Sequence, residues 1–222
     1  AVYTLIPELF EEIAKVLQDS EAPAAVIIEV FKLKSNFFLC TNEAFHQQIP
    51  AIVEMLIAFS ASSVPLEISI EAHKCLHALF SRVNFIPLFE IEERQQILAI
   101  SFEFFETEMS QFVVGESSFE FLDTLLIAFQ PLAEKYIFRP DMFEDAAVAE
   151  FLSNFENWTW GLFGTDSFHT MIDMWIDFYH GASGICAQKF IGPFTSLIQH
   201  ILEQMTDSEQ IGNFSELDFE DI

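Results

Sequence analysis

The chain has 222 residues and sets 9 Lys and Arg against 35 Asp and Glu, a net charge of −26 at pH 7. That balance is repelled by nucleic-acid phosphates and anionic membranes, so it argues against both as direct partners. It leaves two uses for the charge: keeping a Phe-rich chain soluble, and steering a basic protein partner. Hydrophobic residues make up 51% and the mean hydropathy is +0.32, yet no apolar run approaches the roughly 18 residues of a spanning helix. The longest, 24–38 and 86–105, are cut by Glu29, Lys32 and Lys34, and by Glu90, Glu92, Glu93 and Arg94.

Apolar spacing and helix breakers divide the chain into about nine helices. The first spans 5–17, with Leu5, Leu9, Ile13, Val16 and Leu17 on one side, and stops at Asp19-Ser20. The second runs from Pro23, a first-turn residue, to about Phe38. Thr41 and Asn42 open the third, 43–59, which turns Phe45, Ile49, Ile52, Val53, Leu56 and Phe59 inward and is expected to bend at Pro50. A Ser-rich turn at 60–63 leads to 65–83, with Ile70, Leu76, Leu79 and Phe80 inward.

Glu90, Glu92 and Glu93 suit the positive end of the fifth helix, which ends near Met109. Ser117 and Ser118 start the sixth, carrying Phe121, Leu122, Leu125, Leu126, Phe129, Leu132 and Tyr136 inward and Pro131 in its body. After the break at Arg139-Pro140-Asp141 come 143–162 and 167–179. In the latter the apolar stripe is read as Phe168, Ile172, Trp175, Ile176 and Tyr179. The last helix covers about 185–205, and from 206 the periodicity fades into acidic residues.

No period-two run bounded by hairpin turns occurs, and only 7 residues are Gly, so the chain reads as all-α. A stripe such as that around Trp175 cannot be buried inside one hairpin and implies packing on the next. The expected architecture is therefore an α-α superhelix, a HEAT-like solenoid of about five or six hairpins of roughly 40 residues. Residues 1–205 form the repeats and 206–222 an acidic loop or tail, in what reads as a segment of a longer protein. Leu79, Leu125, Phe129, Phe151 and Trp175 are expected between hairpins of a right-handed arc.

Chemistry is not legible. His73 and His77 stand four apart around Cys75, but Lys74, Cys75 and Leu76 replace the His-Glu-x-x-His pattern of a zinc enzyme, and packed or exposed histidines are the expectation. His46, His169, His180 and His200 are isolated. Carboxylate pairs such as Asp173/Asp177 and Glu11/Glu12 read as solvated helix faces. No nucleophile elbow, phosphate loop or dinucleotide fingerprint occurs, so no catalytic, cofactor or metal residue is assigned and the chain reads as non-enzymatic. Cys40, Cys75 and Cys186 are widely spaced and odd in number, as suits reduced thiols.

One ordered series of motifs carries a family likeness. Ala72-His73-Lys74-Cys75-Leu76-His77-Ala78-Leu79-Phe80-Ser81 runs into Ile86-Pro87-Leu88; Glu150-Phe151-Leu152 leads through Trp158 to Met171-Ile172-Asp173-Met174-Trp175-Ile176-Asp177-Phe178-Tyr179; Phe194 to Leu202 precedes the acidic Ser215 to Asp221. Over residues 70–222 this resembles the repeats of exportins, in the karyopherin-β family of nuclear transport receptors. The resemblance implies a non-enzymatic receptor that shuttles between nucleus and cytoplasm. It would bind GTP-bound Ran, a protein cargo such as profilin-bound actin, and nuclear pore proteins. A static HEAT-repeat scaffold or adaptor is the alternative. Lost periodicity and likeness together mark Glu216, Asp218, Glu220 and Asp221 as residues for a basic partner, against the plain alternative of an inert solvated loop.

Overall fold

The computed structural model describes residues 15, 22–37, 47–85, 87–115, 117–137, 145–181 and 185–206. They form eight α-helices: α1 Ala24–Phe37, α2 Ile49–Ser60, α3 Leu66–Arg82, α4 Ile91–Gln111, α5 Phe119–Tyr136, α6 Asp145–Gly161, α7 Asp166–Gly181 and α8 Ile185–Thr206. Among the described residues there is no strand, so the fold is all-α, and no described helix is long and apolar enough to cross a membrane. The helix expected at 5–17 lies outside the described residues apart from Lys15.

Local chemistry explains the helix starts. Pro50 sits in the first turn of α2 rather than inside a longer helix, contrary to the expected bend. A residue without an N–H costs nothing there, because the first amides of a helix have no intrahelical acceptor. Glu93 accepts the backbone N–H of Glu90, with Glu92 and Glu93 in the first turn of α4, and the Ser118 hydroxyl accepts from Phe121 N at the start of α5.

Packing joins helices two positions apart. In one row α1 lies on α3, α3 on α5 and α5 on α7; in the other α2 lies on α4 and α6 on α8, while α2 packs on α3, α4 on α5, and α6 and α8 on α7 across the rows. The sequence pattern dictates this: α5 buries residues on more than one side, from Phe121 through Leu125, Ala128, Phe129 and Leu132 to Tyr136, because neighbours stand on both flanks. Leu79, Leu125, Phe129, Phe151 and Trp175 are all buried, as their periodicity required. In α7, however, the inward residues are Met171, Met174, Trp175 and Phe178, and Ile176 is 44% exposed. The expected stripe was rotated: spacing of three and four is met by both sets, which share Trp175, and Phe155 of α6 packs on the face that carries Trp175 and Phe178. Ile70 is likewise half-buried rather than inward.

Polar rungs tie the first row. Cys75 Sγ donates to Phe31 O across α3 and α1, and Lys135 Nζ to the Phe80 and Ser81 carbonyls at the end of α3. Ser167 Oγ donates to Asp123 at 2.6 Å, and Gln130 to Asp177, across α7 and α5. Asp177 therefore belongs to a helix contact rather than to a solvated face, although Asp173 is exposed. In the second row Ser196 donates to Glu156 at 2.6 Å between α8 and α6.

Candidate protein-docking groove

The second row is interrupted between α4 and α6. Their backbones make no extended close approach, and the helices meet through rings: Phe102 edge-on to Phe151 at 5.3 Å, and Phe105 against Phe151 and Trp158 at 6.3 and 6.0 Å. Bulky rings hold two helices apart, and where the facing residues turn small a space is left between them. Here the small residues are Ala99 and Ala147, and the space is about 290 Å³. By contrast, the gap enclosed by Ile57, Leu76, Phe80, Leu125 and Phe129 in the body of the array is about 10 Å³, room for about one water.

The groove follows from helical spacing. Ala99, Phe102, Glu103 and Glu106 are one face of α4, and Ala147, Val148 and Phe151 one face of α6, with Ile137 after α5 closing one end. Phe102, Ile137, Val148 and Phe151 are buried and form an apolar floor, whereas Ala99 and Ala147 lie exposed at the mouth. Its polar groups are acidic. Burial raises the Glu106 carboxyl above its ordinary range and nearby Glu150 adds to the effect, while a hydrogen bond from Asn154 opposes it. Among the described residues, the carboxylates of Glu103 and Glu106 share the lining with no nucleophile and no histidine. Such a site can hold an apolar group beside a cation.

The histidine pair splits. His73 is fully buried: Nε2–H donates to the Ser60 carbonyl at the end of α2, 3.0 Å away, and Nδ1 lies 2.8 Å from Thr124 Oγ1 on α5. A carbonyl only accepts, so Nε2 carries the proton and the neutral ring accepts at Nδ1 from the Thr124 hydroxyl. Burial lowers the His73 pKa to about 4, with the Ser60 bond opposing. His73 is thus a brace joining three helices, and both its ring nitrogens are engaged by protein. His77 is half-buried beside Ser81, with its pKa lowered by burial and then by Arg82 and Lys135. His169 is exposed, and His200 stands against Trp160 and Glu156. Among the described residues no three His, Cys, Asp or Glu side chains converge as a metal site requires.

Glu216, Asp218, Glu220 and Asp221 lie outside the described residues, as do Glu11, Glu12 and His46. The groove residues were not singled out from sequence, although a signal existed. Two alanines, Ala99 and Ala147, sit one turn before Phe102 and Phe151 on helices two apart. Compared with protein-family models, with curated proteins and with solved structures, the chain finds no match.

Proposed function

We propose that this chain is a non-enzymatic protein-binding array of the exportin kind, a HEAT-like superhelix that takes up a protein cargo together with GTP-bound Ran in the nucleus and releases both in the cytoplasm. The observation that carries the reading is the packing of helices on helices two positions along, the contact pattern of stacked hairpins. The motif series over residues 70–222 and the charge of −26, suited to basic partners, add to it. In such an array each interface is between neighbours only, so small adjustments sum into a change of curvature. One row is closely packed and the other is held apart between α4 and α6, so bending is easiest about the α3–α5–α7 row. Two partners that favour the same curvature then bind with positive coupling.

Capture on immobilised Ran tests the proposal. Retention on Ran loaded with GTP, and not on Ran loaded with GDP, is the expected result. Equal retention on both, or none on either, overturns the transport reading in favour of a static scaffold.

A further inference from the structure

We infer that the α4–α6 groove is the docking site for a partner segment that inserts one large apolar side chain over Phe102 and Phe151 and lays an adjacent Lys or Arg against Glu106 and Glu150. The inference rests on the protein-binding reading above and names what one site of the array takes.

Size sets the first limit. Pockets for whole small molecules usually run from about 300 to 1,000 Å³, so 290 Å³ lies at the lower edge of that range. An apolar space of about 150 Å³ already accepts a benzene ring. The groove therefore suits a Phe- or Leu-sized side chain with part of its neighbour. Its buried floor is entirely apolar, so nothing there rewards a polar group.

Charge sets the second limit. Glu103 and Glu106 line the mouth from α4, and Glu150 acts on Glu106 from α6, while among the described residues no cation lines the groove. Glu106 is half-buried and repelled by Glu150, with the Asn154 amide as its compensating donor. An entering ammonium or guanidinium would relieve that repulsion in a place where water is partly excluded, so it is worth more there than on open surface. The same charge argues against a second copy as occupant, because two chains of −26 would meet acid to acid.

The test uses the full chain and a short fluorescein-labelled peptide with one Phe beside Lys and Arg in a Ser/Ala background, read by fluorescence anisotropy. Binding is expected, and is expected to be lost when the peptide Phe becomes Ser or its cations become Glu. Ala99→Trp fills the mouth from an exposed position and should weaken binding about tenfold or more. Glu106→Gln should weaken it about threefold at low salt, with the difference fading as salt rises. Glu54→Gln, on the exposed side of α2, is the control and should change nothing. Failure of the peptide to bind better than its Glu version, equal binding by Ala99→Trp, or self-association abolished by Ala99→Trp would each overturn the proposal. Ran capture separates the two readings: a variant that loses the peptide but keeps GTP-selective capture leaves both standing. Peptide binding without such capture leaves the groove and removes the transport reading.

Discussion

The α3–α5–α7 row and the α4–α6 pair are built from the same residue types and end differently. In the row, small buried residues such as Ala72 and Ala128 accompany hydrogen-bonded rungs, and the backbones approach closely. Between α4 and α6 the residues in contact are large rings, phenylalanines and Trp158, the alanines lie at the rim, and about 290 Å³ stays open. The lesson concerns where a small residue falls relative to a large one. An Ala buried between helices draws them together, whereas an Ala beside a ring that already props them apart leaves a cavity.

The largest effect is expected where an indole on α7 packs across the rows onto α6. Trp175 is fully buried, lies tilted against Phe155 and edge-on to Phe178, and its Nε1–H donates to Thr159 Oγ1 at 3.0 Å. Trp175→Ala should cost about 3 to 5 kcal/mol, seen as a large drop in the thermal midpoint. An unchanged melt would break the assignment of Trp175 to the buried seam between α7 and α6.

His73 comes next. Its folded pKa of about 4 lies below the 6.5 of the unfolded chain, so between those values the unfolded state binds more protons. The stability it contributes is full above pH 6.5, falls as pH drops toward 4, and is constant below. The total is about 3 kcal/mol at 1.36 kcal/mol per pKa unit. A protonated ring can still donate Nδ1–H to Thr124, whose hydroxyl then turns to the Glu120 or Phe121 carbonyl, so the loss comes from desolvation of charge and not from a broken bond. Urea unfolding of the parent and of His73→Gln checks this. The stability gap between them should shrink from pH 7 to pH 4.5, and a constant gap would show that the fold leaves the His73 pKa at its unfolded value.

The smallest effect sharpens the comparison most. Ala128→Leu forces a larger side chain into the closed row and should cost about 1 to 3 kcal/mol. The same change at Ala99 enters open space and should stay within about 0.5 kcal/mol. Equal costs would mean that the two regions do not differ in packing.

Much of the architecture was legible. Helix starts at Glu90, Ser118 and the proline-led turns follow from backbone donors that need acceptors or are absent, and those rules are local. The inward faces of α2 and α5 followed from spacing because only one register satisfied it. The face of α7 did not, since Phe168, Ile172 and Ile176 obey the same spacing as Met171, Met174 and Phe178, and the choice belongs to the neighbouring α6. The groove was hidden for a related reason. Ala99 and Ala147 are ordinary helix residues until two helices separated by more than 30 residues of chain are set face to face. Asp177 was misread because a carboxylate on a helix says nothing of the Gln130 waiting on α5.

Native-state hydrogen exchange tests the contrast between the two rows most directly. Amides of α3 and α5, held in the closed row, should exchange at the free energy of global unfolding. Those of α4 and α6 that border the groove, around Phe102 to Glu106 and Val148 to Asn154, should open at distinctly lower free energy. Uniform protection across all four helices would contradict the account.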